Sequence, residues 1–237
     1  MGSVHVTPKQ QVAVMVGVFS ALGIGVSVGI IAFGGGFSGG GGNLLDPPSS
    51  EDIYTVGEAV ADGMNLDYTL DAKGPNTALV GSDVSISFDQ QGDEWLTAFT
   101  IYNNTSTQPV ETEVLLSSRL TKEGQIEESA RPFIEPIESS ILAIRDMDYG
   151  GRDKYLKVGA PWNTIFYGAT STRVVVTGQE TVETPAGIFD AFVLSYKLKD
   201  NTSKIWIIKD LPFPIKAQVY DEAGQPLYSY ELVGLAR

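Results

Sequence analysis

Residues 10–45 carry no charged side chain, and within them residues 12–33 form an unbroken run of apolar, glycine and serine positions. A helix rises about 1.5 Å per residue and the hydrocarbon core of a bilayer is roughly 30 Å thick, so about 20 such residues cross it. The run predicts a transmembrane helix over 12–33, with a short N-terminus, 1–11, before it and a linker, 34–50, after it. Beyond the linker the period changes to two. Leu66, Tyr68 and Leu70 alternate with polar residues, as do Val84, Ile86 and Phe88, the pattern of strands with one buried face. Similar stretches over 95–102, 110–116, 173–176, 192–198, 206–208, 215–220 and 227–232 bring the expectation to about nine strands.

Turn residues punctuate these strands at Lys73-Gly74-Pro75-Asn76, Gln91-Gly92-Asp93, Pro185-Ala186-Gly187 and Glu222-Ala223-Gly224. Short strands separated by such turns predict a mainly β fold, an antiparallel β-sandwich or an incomplete β-barrel, over 51–237. Only 50–60 and 138–144 read as short helices, the first capped by Ser50.

Charge orients the span. Lys9 is the only charged side chain before it, whereas Asp46, Glu51 and Asp52 follow it and no Lys or Arg appears until Lys73. Positive flanks stay cytoplasmic, which places the N-terminus inside and the β domain outside. A cleaved secretory signal would have a shorter apolar region and a small-x-small cleavage site, and 31–33 do not supply one. Ala21, Gly25 and Gly29 recur every four residues, and Gly23 and Ser27 form a second small pair, so the span offers faces for close helix packing with a partner helix or a second copy. Seven glycines in 34–42 and the Pro47-Pro48 pair then make a tether.

Composition narrows the chemistry. The net charge is −13, and all 29 acidic residues lie beyond the span, a distribution that repels nucleic acid. There is no cysteine, and the single histidine, His5, sits on the far side of the span from the β domain. Ser-His-Asp and Cys-His catalysis and the common zinc and copper sites therefore have no ligands outside. No lysine has a serine three residues before it, so a Ser-Lys pair is absent as well. The expectation is a non-enzyme with no cofactor and no resident metal. Asp146, Asp148 and Asp153 are spaced like part of a calcium loop, but Gly150 stands where a ligand belongs and no glutamate closes the loop, so the segment reads as an acidic turn. Asn103, Asn104 and Asn201 each begin a glycosylation sequon.

Trp206, Phe213, Tyr220, Tyr228 and Tyr230 are the densest aromatic stretch and read as core, with 211–214 a bend because its prolines cannot donate to a ladder. Gly178, Glu180, Val182, Thr184-Pro185-Ala186-Gly187, Phe189 and Ala191, followed by Ile205-Trp206-Ile207 and Pro214-Ile215-Lys216-Ala217, resemble a pattern of DUF3108-type and LolA-like exported β modules. The resemblance covers about residues 178–220. It implies an incomplete barrel over a cavity for an apolar, lipid-type ligand. The overall layout is also similar to single-pass surface proteins of archaea. From the residues themselves, the expected role is a membrane-anchored interaction or accessory protein of the cell envelope or of a membrane complex, in contact with the bilayer and with other envelope proteins. The alternative is LolA-like carriage of an apolar ligand.

Overall fold

The computed structural model describes residues 49–71, 79–104, 106–123, 125–144, 154–167 and 170–237. The predicted span at 12–33, with Ala21, Gly23, Gly25, Ser27 and Gly29, lies outside them, as does the acidic segment 146–153. No helix among the described residues is long and apolar enough to cross a membrane. The described residues fall in two compact units, a large one over 49–163 and 173–237 and a small one holding 164–167 and 170–172.

Strand β1 is Ile53–Tyr54, β2 Asn65–Asp71, β3 Ser82–Gln91, β4 Glu94–Tyr102, β5 Val110–Ser117 and β6 Lys122–Glu123. Helix α1, Arg131–Ile144, follows, then β7 Lys154–Tyr155, β8 Pro161–Tyr167, β9 Thr170–Thr184, β10 Gly187–Leu198, β11 Asn201–Ile207, β12 Lys216–Tyr220 and β13 Pro226–Ala236. Eleven strands form one antiparallel sheet in the order β6-β5-β4-β3-β2-β13-β12-β11-β10-β9-β8, and β1 pairs with β7 as a separate ribbon. The sheet consists of two meanders joined where β13 lies beside β2, from Ser229↔Asp71 to Ala236↔Asn65. Its outermost strands, β6 and β8, do not pair with each other, so the strand order does not close into a barrel. One sheet is found where the sequence left a two-sheet sandwich open. The chain passes from edge to edge through α1 and β7.

The two-residue period decides what is buried. Leu66, Tyr68 and Leu70 of β2, Val84, Ile86 and Phe88 of β3, and Phe99 and Ile101 of β4 are all 5% exposed or less, and the residues between them face out. Aromatic rings cross this inner face. Tyr68 meets Tyr230 edge-on at 5.6 Å, Phe88 meets Phe213 at 5.6 Å, and Tyr54 meets Trp162 at 5.5 Å. Phe213 belongs to the bend before β12, where it lies against β3, three places along the strand order, so this part of the sheet is rolled about its aromatic face. Each such ring pair adds about 0.5–1.5 kcal/mol beyond its area burial.

Two sequence expectations need correction. Residues 50–60 do not form a helix: Ser50–Asp52 is a single 3-10 turn, capped by Ser49, and the next two residues pair with β7. Ser49 donates to the Asp52 carboxylate from its backbone N–H at 2.8 Å and from its Oγ at 3.0 Å, which fixes the turn. Gly57 then adopts φ +86° and passes so close to the Ser118 carbonyl that no Cβ fits. The second helix begins at Arg131, not at 138. Pro132 falls in its first turn, where a missing N–H costs nothing, and the interior Pro136, which signals a break, is tolerated with Phe133, Ile134 and Ile137 buried on either side of it.

Candidate functional site

Strands β2, β3, β4 and β5 contain no Lys or Arg. Their seven acids, Asp67, Asp71, Asp83, Asp89, Glu94, Glu111 and Glu113, all occupy positions that alternate with the buried ones, so all seven project from the outer face of this half of the sheet. Some are held by neutral donors: Thr69 donates to Asp83 at 2.6 Å and Asn65 to Asp67 at 3.2 Å. In the other half, cations and acids pair across the outer face, Lys216 with Glu231 at 3.1 Å and Lys204 with Glu180 at 3.7 Å, and Lys204 lies 5.7 Å from the Trp206 ring. The outer surface is thus divided into an uncompensated acidic half and a balanced half.

The acidic half ends at an incompletely paired strand. β5 pairs with β4 along its length, from Val110↔Ile101 to Ser117↔Glu94. On its other side it pairs with β6 only at Leu115↔Glu123 and Leu116↔Lys122. The Ser117 N–H donates to the Thr121 carbonyl at 2.9 Å, away from β4. Backbone groups alternate sides along a strand, so Glu113 and Glu111 also turn their N–H and C=O outward, where no described strand meets them. Glu111 and Glu113 are exposed, and their neighbours across β4 on the outer face are Thr100 and Ala98, neither of them charged. Two apolar side chains are exposed in this half of the sheet: Tyr102, at the end of β4, is 55% exposed and Val80, before β3, 45%. Asn104 ties the two segments together by donating to the Val80 carbonyl at 2.9 Å.

Two further features were candidates for a ligand. A groove of about 320 Å³ is lined by Glu58, Ala59, Ala61, Met64, Lys209, Asp210 and Arg237. It is open and of mixed polarity, and its cations are already engaged, Lys209 with the Glu51 carbonyl at 3.0 Å and Arg237 with the Asp210 carbonyl at 2.6 Å. The Tyr68 hydroxyl, on the inner face, and the Trp206 Nε1, on the same face as Lys204, are buried with no hydrogen-bond partner among the described residues. Burial pushes the Tyr68 phenol well above its ordinary value, with the adjacent Tyr54 adding to the effect, and burial alone raises Tyr54.

Among solved structures, the chain is similar to a candidate exported protein with a YmcC-like fold from Bacteroides fragilis, at 12% identity and a TM-score of 0.43, over 78% of this chain and 99% of that one. It is similar to a candidate lipoprotein from Parabacteroides distasonis, at 12% identity and a TM-score of 0.43, over 77% and 99%. It is also similar to a chain of the MucA/MucB complex of Pseudomonas aeruginosa, at 14% identity and a TM-score of 0.42, over 76% and 54%. No family model matches the chain and no curated protein matches it, so the resemblance over 178–220 stands on its own residues.

The structure separates the sequence-predicted sites. Asn103 and Asn104 lie at the end of β4, and Asn201 opens β11 in another hairpin. The amides of Asn104 and Asn201 are in structural use, the former donating to the Val80 carbonyl and the latter to the Glu222 carbonyl at 3.1 Å. No group of three or more His, Cys, Asp or Glu that could hold a metal ion occurs among the described residues. The β5 edge escaped the sequence analysis, although the lack of any basic residue from β2 to β5 marked the acidic face beside it.

Proposed function

We propose that this chain is a membrane-anchored, extracytoplasmic β domain that acts without catalysis, as an interaction or accessory protein of the cell envelope or of a membrane complex. The uncharged run at 12–33 and the charge distribution around it support the anchor and its orientation. The observation that carries the interaction role is the incompletely paired β5, whose outward backbone groups at Glu111 and Glu113 meet no described strand. A strand edge left open is a surface for another protein. Purification of the intact protein from native membranes tests the reading. An envelope protein should co-purify in stoichiometric amount; a chain that purifies alone would count against it.

A second reading, carriage of an apolar ligand within the rolled sheet, is favoured by the buried Tyr68 hydroxyl, which could donate to a polar atom of such a ligand. Organic extraction of the purified protein separates the two, since a carrier releases a lipid-type molecule and an interaction module does not.

A further inference from the structure

We propose that the free edge of β5 takes up an extended segment of a partner protein in which basic and apolar residues alternate, adding a strand beside Glu111 and Glu113. The inference rests on the interaction reading and names the partner's chemistry.

Geometry fixes where the incoming residues point. Glu111 and Glu113 turn both backbone groups outward, so the residue opposite each of them exchanges two hydrogen bonds with it and projects on the same face, with Cα atoms about 5.5 Å apart. That face holds seven carboxylates on β2 to β5 and no cation. Glu111 and Glu113 have neither a hydrogen-bond nor an ion-pair partner among the described residues. Lys or Arg at both opposing positions supplies the missing charge, whereas an acidic residue there would be repelled. The residue between them projects to the opposite face, beside Thr112 and Val114, which are 8% and 4% exposed, and there an apolar side chain extends the core. The motif is therefore basic, apolar, basic in extended conformation.

Charge also decides against a second copy of this chain as the occupant. Two β5 edges paired with their outer faces continuous would set these carboxylates against one another, and directly opposed like charges are destabilising. Edge acids thus close the strand to its own copies and leave it open to a basic segment. The surrounding carboxylates act over a longer range to steer such a segment toward the edge at low salt.

The test uses the full chain in nanodiscs of zwitterionic lipid and a fluorescent peptide alternating lysine and valine, read by anisotropy. Saturable binding is expected, weakened roughly tenfold by the double substitution Glu111→Gln, Glu113→Gln. The same peptide methylated on its lysine backbone nitrogens keeps its charge but loses the ladder donors, and its binding should be lost. The glutamine variant is isosteric at exposed, unpartnered positions, so an unchanged urea midpoint will show that it is folded. Failure to saturate up to about 1 mM peptide, equal binding of the methylated peptide, or equal binding by the variant each overturns the proposal. If an envelope protein co-purifies with both wild type and variant, the interaction role stands and the edge assignment alone falls.

Discussion

Gly57 and Gly63 both adopt a left-handed backbone, at φ +86° and +74°, but their surroundings differ. A Cβ on Gly57 would collide with the Ser118 carbonyl, whereas one on Gly63 would meet nothing within 4 Å. Gly63→Ala should therefore cost only the conformational penalty, about 1–2 kcal/mol, and Gly57→Ala more than about 3 kcal/mol because rigid backbone must also move. Urea denaturation of the two variants checks the contrast. Tyr68→Phe is expected to act in the opposite direction. Its hydroxyl is buried with no hydrogen-bond partner among the described residues, and removing it should stabilise the protein by up to about 1 kcal/mol in the same assay, with a loss of stability counting against an empty hydroxyl site.

Among the elements, the capped turn at Ser50–Asp52 gives a pH signature. The Ser49 backbone N–H and then its hydroxyl hold the Asp52 carboxyl below the ordinary 3.8, with smaller help from Lys157 and Lys209. Because the folded value is depressed, the turn's contribution is complete above 3.8 and is lost as the pH falls through the lowered value. An NMR titration should show the Asp52 carboxyl with its midpoint below 3.8, moving part of the way back in Ser49→Ala, which keeps the backbone donor. Helix α1 offers a packing test: Ile137 is 1% exposed, and Ile137→Ala should cost about 2–5 kcal/mol in thermal or urea unfolding. The strands from β2 to β5 were legible in the sequence because each buries one face and the period of two is unbroken. In the 15-residue β9 the apolar residues at 173–176 were legible, as was the stretch that leads into the Pro185-Ala186-Gly187 turn, whereas the register shift opposite Val193/Leu194, which skips Thr177 between them, was not. The 50–60 segment was misread because what takes the chain out of the turn, the pairing of Ile53 and Tyr54 with β7, joins residues far apart in sequence. The open β5 edge was invisible for the same reason: it depends on how little of β5 the short β6 covers, and periodicity carries no information about that.

For the whole molecule, the excess of acid over base adds a destabilising self-repulsion that salt should screen. Raising the salt from about 0.01 to 0.15 M shortens the screening distance from roughly 30 to 8 Å, and the unfolding midpoint should rise while the urea m-value stays constant. The pairing of β13 with β2, which joins Asn65 to Ala236, has a temporal consequence. The chain is synthesised from one end, so β2 emerges long before its neighbour and must wait with one flank bare. The two meanders cannot merge until β13 has been made. During that interval the exposed strand is a nucleation point for misassembly, so the speed of synthesis bears on how much of the chain folds correctly.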